Sequence, residues 1–380
     1  MIGFDLSEEQ IALQDMAHKF AVNEIRPKAA ECDREGTFPK EIFQKAFDLG
    51  LMTAFIPEAY GGLGLGSMES CVMEEELGWG CAGITTSMTT NGLALSPILI
   101  AGTEEQKQEF VAPFAREFQF ASFCLTEPGA GSDAGGITTT AKKDGDVYIL
   151  NGRKCFITNG TYATQYTVFA STDRSKGHKG LSAFIVPRSL PGVSPGKKED
   201  KMGQRASDTA DVLFEDVRLP AANLIGKEGD GFKIAMKTLD YARPTVAAMS
   251  VGVARAAFEA AMQYSKERVQ FGMPIAMNQA IHFLLADMAM DIEAARLLTY
   301  KGAWLLDQGR RSTKESSFAK AFAADLAMRV TTDAVQIFGG YGYMKDYPVE
   351  KLMRDAKLLQ IYEGTSQIQR LVIAKEVMMR

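Results

Sequence analysis

The sequence predicts an α+β protein in α-β-α order. A helical domain spans residues 1–117, a β-barrel or sandwich domain 118–225, and a four-helix-bundle domain 226–380. Two observations carry this reading. Both ends repeat apolar residues at the helical period of about 3.6, whereas the middle changes to short β-branched and aromatic runs punctuated by turn dipeptides. No alternation of strands with helices, which a parallel sheet requires, interrupts either pattern.

The elements follow in order. Ser7-x-x-Gln10 is a capping box ahead of Ile11, Leu13, Phe20 and Ile25. Pro39 opens a second helix that Gly50 closes. After the glycine-rich break Tyr60 to Gly66, a helix runs from Ser67 to Leu77, and Thr103-x-x-Gln106 starts another toward Pro113. In the middle, FASFCLT, DVYILNG, QYTVFAS and LSAFIVP read as strands, with turns at Asp144-Gly145, Asn151-Gly152 and Pro191-Gly192. From Gly229 the helical period returns: Ile281, Leu284, Leu285, Met288, Ile292 and Ala295 mark one face, and 317–338 is alanine-rich.

Composition excludes several function classes. Net charge is −5 with acids and bases interspersed, so no basic stripe points to nucleic acid. No uninterrupted apolar run reaches about 18 residues, so no membrane insertion is expected. The start, MIGFDLSEEQ, is acidic where a leader is basic. A bacterial cytoplasm is expected, or a mitochondrial matrix if a leader was removed. The five cysteines contain no C-x-x-C, and the three histidines lie far apart, so no metal is expected.

Gly129-Ala-Gly-Ser-Asp-Ala134 matches the G-x-G-x-x-A pattern of dinucleotide sites. A strand precedes it, but Gly135-Gly136 and a threonine run follow where a helix must begin. The parallel-sheet nucleotide fold therefore fails on context. A plain β-turn and an anion-cradling loop both remain open.

Seven segments in order, TEPGAGSD, FITNG, KMGQRASDT, RVQFG, QIFGGYGY, MRDAK and IYEGTSQIQR, give the chain a resemblance to the acyl-CoA dehydrogenase family. It extends from the first helix to Arg370, with a medium-chain flavour in RPTVAA and EELGWGCAG. The resemblance implies FAD-dependent α,β-dehydrogenation of a medium- or short-chain saturated acyl-CoA to the trans-2-enoyl-CoA, medium chains being favoured. It also implies a homotetramer, a dimer of dimers, that passes electrons to electron-transfer flavoprotein. Glu363 matches the base that removes the α-proton. An apolar setting at Ile361-Tyr362 would raise its pKa, and its backbone N–H would donate to the thioester carbonyl. Ala242 occupies an alternative base position and cannot serve.

By the same resemblance Phe123, Leu125, Thr126, Gly131 and Ser132 line the flavin. Phe156, Ile157 and Thr158 cover its other face, Phe156 standing where many relatives carry Trp. Arg268, Gln270 and Phe271 reach FAD across a dimer interface. Gln279, Gln336, Ile337, Gly339, Gly340, Thr365, Ser366 and Gln367 complete the set. Substrate contacts fall on Ser132, Asp240, Arg243, Tyr362, Gly364 and Arg370. The acyl pocket is lined by Thr86, Thr89, Leu93 and Val246. Thr85 and Thr89 replace larger side chains of medium-chain relatives, so the cavity is either deeper or filled by a neighbour. Two other activities stay open: an acyl-CoA oxidase, and a flavin-binding relative that binds nucleic acid.

Overall fold

The computed structural model describes residues 5–378; Met1–Phe4, in the stretch searched for a leader, and 379–380 lie outside. Eleven α-helices and ten strands succeed one another among the described residues. The N-terminal region contains α1 (Glu8–Phe20), α2 (Arg26–Glu35), α3 (Lys40–Asp48), α4 (Ser67–Ala101), α5 (Glu104–Phe110) and α6 (Ala112–Arg116). The strands are β1 (Ala121–Cys124), β2 (Thr140–Asp144), β3 (Val147–Thr158), β4 (Gln165–Ser171), β5 (Leu181–Pro187), β6 (Val193–Lys198), β7 (Thr209–Pro220) and β8 (Leu224–Ile225). Then come α7 (Gly231–Glu267), the hairpin β9 (Val269–Gln270) and β10 (Met273–Pro274), α8 (Gln279–Asp307), α9 (Thr313–Phe338), α10 (Val349–Leu359) and α11 (Ser366–Met378).

Both capping boxes form: Ser7 and Thr103 each accept a backbone N–H from the glutamine three residues on, which bonds back. The helix expected to end near Leu77 instead continues to Ala101, broken at Cys81, where φ −170° and ψ 114° are extended. Glycines at 78, 80 and 83 hide this continuation from propensity, yet each serves close packing. A Cβ on Gly252 of α7 would lie 2.1 Å from the Glu75 carbonyl of α4. Gly252→Ala is therefore expected to cost about 1–3 kcal/mol, read as a fall in the denaturation midpoint.

The strands form one sheet in the order β6-β7-β3-β2-β4-β5-β8, with β1 added in parallel beside β4. Tyr166, Val168 and Phe184 share an interior with Leu150 of β3 and Phe214 of β7. Phe169, Ala183 and Ile185 point the other way, against Ile98 of α4 and Ile234 of α7. With both faces covered, β4 and β5 read as continuous apolar runs. Asn151-Gly152 is not a turn: it lies within β3 at a register shift, and Gly152 (φ 155°) sits so close to Thr139 that a Cβ would meet its Oγ1 at 2.4 Å.

Helices α7, α8, α9 and α10 share the C-terminal core, rich in alanine, and α4 packs along α7. Among the described residues α7 alone is long and apolar enough to cross a membrane, and 67% of that window is buried inside the protein.

Candidate active site

The segment between α10 and α11 carries Tyr362, Glu363 and Gly364. Glu363 and Gly364 are consecutive left-handed residues, with φ 56° and 88°. That conformation suits glycine but strains glutamate by roughly 1–3 kcal/mol, so the surroundings must impose it. Asp325 of α9 accepts from Gln360 Nε2 (2.7 Å), Ser366 Oγ (2.8 Å) and Arg370 (2.7 Å), fixing both ends of the loop. Lys320 Nζ, on the same helix, donates to the Gly364 carbonyl at 2.7 Å. Gln369 Nε2 donates to the carbonyls of Glu363 (3.0 Å) and Gly364 (3.1 Å).

This brace leaves the Glu363 carboxyl free. Its Oε2 is buried without a hydrogen-bond partner. Burial pushes its pKa up to about 7, against the charges of Lys320 and Arg243, which favour ionisation. The residue as a whole is half-buried, while its Oε2 is shielded from solvent. Among the described residues its backbone N–H donates to no acceptor. Arg243 is itself buried, paired with Asp240 at 2.6 Å, and its Nε has no partner.

Next to this loop, sulfur and hydroxyl contacts tie several side chains together. Tyr362 Oη and Thr86 Oγ1 each approach Met249 Sδ at 3.5 Å, and Thr86 donates to Gln204 Oε1 at 2.9 Å. Val246 is buried, while Thr89 and Leu93 are half-buried.

The second cluster surrounds the glycine turn after β1. No helix follows the turn, only a short 3-10 segment, Ala134–Gly136. A Cβ on Gly129 or Gly131 would meet nothing within 4 Å, so the turn is an open cradle of bare backbone. Its base is an ion pair hidden from solvent: Lys154 Nζ reaches Glu127 Oε1 at 2.8 Å and the Leu125 carbonyl at 3.0 Å. The Cys155 N–H donates to the Thr126 carbonyl at 3.0 Å, joining β3 to the turn. Immediately afterwards β3 slips register between Lys154 and Ile157, and Phe156 (φ 57°) turns outward, 67% exposed. Such bulges re-aim side chains beside functional sites. Thr126, Ser132 and Phe156 thus present themselves around one turn; Phe123 packs on Phe169 at 5.0 Å.

The third cluster lies at the other end of the C-terminal helices. The hairpin β9–β10 carries Gln270 and Phe271 (φ 53°) fully outward, and Arg268 stands over the Tyr341 ring at 5.3 Å. Gln336, Gly339 and Gly340 are exposed where α9 ends, and Gln279 is exposed at the start of α8. Among the described residues six non-glycine residues have positive φ, and three of them are Phe156, Phe271 and Glu363. Stored backbone strain therefore falls on residues singled out from sequence.

Several other assigned residues have their side chains engaged within the protein. The Ile157 and Ile337 side chains belong to hydrophobic cores, and Leu125 packs in another, so only their backbones are available to a ligand. Ser366 is buried, its hydroxyl spent on Asp325. Arg370 also engages Asp325, and Asp240 accepts from Thr313 at 2.7 Å. Thr365 Oγ1 accepts the Ile368 N–H at 3.1 Å, at the head of α11, while Gln367 is exposed and Thr158 accepts from Ser122 at 2.7 Å. Sequence reasoning missed Lys320, Asp325, Gln369, Glu127 and Lys154. Of these only Lys320, a cation in an alanine-rich apolar helix face, left a visible signal.

Comparison with known proteins agrees with this organisation. Profiles of the acyl-CoA dehydrogenase N-terminal, middle and C-terminal domains match residues 7–117, 122–217 and 229–378. The mitochondrial short-chain specific acyl-CoA dehydrogenase of Bos taurus is 48% identical over 97% of this chain and 90% of its own. Butyryl-CoA dehydrogenase from Megasphaera elsdenii superimposes with a TM-score of 0.97 at 46% identity, covering 99% of this chain and 100% of that one. A chain from the structure described as the electron transferring flavoprotein of Acidaminococcus fermentans gives a TM-score of 0.98 at 48% identity, covering 100% of both chains. The first two of these relatives bear short-chain names, on the short side of the medium-chain flavour read from sequence. The chain belongs to the acyl-CoA dehydrogenase family, a family of flavoprotein oxidoreductases.

Proposed function

We propose that this protein is an FAD-dependent dehydrogenase of short straight-chain acyl-CoA thioesters, with Glu363 as its base and electron-transfer flavoprotein as its electron acceptor. One observation carries the reading: a buried carboxyl oxygen with no partner, held on a strained loop. The residues present fit FAD. Gly129 and Gly131 leave room for a pyrophosphate, Phe156 offers an exposed aromatic platform beside Thr126, and Arg268 is a phosphate-matching fork. Bound there, FAD supplies the acceptor for the hydride leaving the β-carbon.

The chain's own residues do the rest. Glu363 takes the α-proton. Its free N–H is available to the thioester carbonyl, where negative charge develops. Lys320 and Gln369 hold the loop carbonyls so that this N–H and the carboxylate stay in register. Tyr362, Thr86 and Met249 wall out water from the acyl chain. The apolar residues exposed on α8, Phe283, Met290 and Leu297, with Phe271 on the hairpin, are surfaces suited to burial in a homotetramer. There Arg268 and Gln270 would serve a neighbouring subunit's FAD.

The test is anaerobic addition of butyryl-CoA to the yellow protein. Loss of the oxidised-flavin absorbance is expected; no loss with any saturated thioester refutes the reading, and rapid recovery in air assigns an oxidase. The pH profile provides a second check. Glu363 works only when ionised, so kcat/KM for butyryl-CoA is expected to rise through about pH 7 and level off above it. In Glu363→Asp that rise moves or vanishes; a wild-type profile flat from pH 5 to 9 contradicts the assignment.

A further inference from the structure

Lys320 of α9 is wholly buried, yet its one polar contact is uncharged. Its Nζ donates to the Gly364 carbonyl at 2.7 Å, and among the described residues that is its only hydrogen bond. A neutral donor would hold a carbonyl as well, and a buried ammonium is costly unless an opposite charge offsets it. Bracing the loop therefore does not by itself account for a lysine at this position.

The charges around it sort into pairs with one acid left over. Asp325, on α9 itself, is paired with Arg370 of α11 at 2.7 Å and also accepts from Gln360 and Ser366. Asp240 of α7 is paired with Arg243 at 2.6 Å and accepts from Thr313 at 2.7 Å. Arg243 works against the Lys320 charge, and burial holds Tyr362, the other titratable group on the loop, in its neutral form. The acid without a partner is Glu363, on the residue next to the carbonyl that Lys320 holds. Each of the two favours the charge of the other. No hydrogen bond joins them, and that separation suits the chemistry. A direct salt bridge would occupy the oxygen that must accept the α-proton and would weaken it as a base. Held on a backbone carbonyl instead, the ammonium supplies its charge without taking up the carboxyl.

We propose that Lys320 is a positioning residue that supplies the counter-charge for ionised Glu363 while leaving its carboxyl free for the α-proton. This rests on the dehydrogenase reading above. The experiment follows kcat/KM for butyryl-CoA from about pH 5 to about pH 10 in the wild-type holoenzyme, Lys320→Met and Lys320→Arg. In Lys320→Met the rise should move upward by about one pH unit or more, giving a deficit of about tenfold near pH 6 that closes at alkaline pH. Lys320→Arg keeps the charge and should keep the wild-type midpoint. A Lys320→Met profile lowered by one factor at every pH, with its midpoint unmoved, makes the lysine a brace alone and overturns the proposal. So does a Lys320→Arg midpoint displaced as far as that of Lys320→Met. Should Lys320→Met fail to fold, the double variant Lys320→Met/Glu363→Gln decides, since it strands no carboxylate. A folded double variant supports the proposal, and one that fails as well overturns it. Failure of butyryl-CoA to reduce the wild-type flavin overturns instead the reading on which it rests.

Discussion

Glu363→Gln is expected to retain FAD and the fold while lowering the rate of flavin reduction by butyryl-CoA by roughly a thousandfold or more, at the upper end of what a positioned base contributes. The substitution keeps the shape of the side chain and leaves the loop brace untouched, because Lys320 and Gln369 bind backbone carbonyls. Only the capacity to take a proton is removed. Stability should move the other way. The folded state holds the Glu363 proton up to about pH 7, whereas an unfolded chain releases it near 4.5. Native protein thus binds more protons between those values, and stability falls as pH rises through that window, with the penalty complete above it. Gln carries no such penalty, so the variant should melt higher than wild type at pH 8. Stopped-flow reduction and thermal denaturation on the same samples check both halves. A variant that reduces its flavin at the wild-type rate removes Glu363 from the chemistry.

Lys154→Met is the second substitution with a large expected effect, about 3–5 kcal/mol of lost stability, because it strands a buried carboxylate. Glu127 is 2% and Lys154 0% exposed at the side chain. Burial alone would raise the Glu127 pKa. The Lys154 charge and hydrogen bond overcome this, together with the Thr138 N–H (2.6 Å) and hydroxyl (2.7 Å) and the Thr139 N–H (3.0 Å), and hold it at about 2. Burial depresses Lys154, with Glu127 opposing. So many donors converge on Glu127 that the ionised pair is the stable form. Its folded pKa is depressed, so this stabilisation is present above about pH 4.5 and is lost as the pH falls toward 2. Lys154 also fixes the Leu125 carbonyl, so the variant should loosen the Thr126 turn and release FAD more readily. Lys154→Met with Glu127→Gln should recover much of the stability, since no charge is then stranded. Urea denaturation and flavin retention on gel filtration measure both. A single variant as stable as wild type would show that the pair contributes nothing.

The sequence itself set the α-β-α order, because periodicity survives in any environment: both capping boxes, β4 and β5 could be read directly. It also marked Glu363, Phe156 and Phe271 through short motifs, without indicating that all three are strained. It did not reveal that Asn151-Gly152 lies inside a strand, since a glycine required by the close approach of Thr139 looks the same as one required by a turn. Nor could it pair Lys154 with Glu127 or Lys320 with Gly364. Each of these contacts joins groups on separate elements, and single-chain pattern carries no information about which distant groups meet. Local chemistry wrote the elements and the candidate base into the chain; tertiary packing alone decided which charges are compensated, which carbonyls are held, and which carboxyl is left free to react.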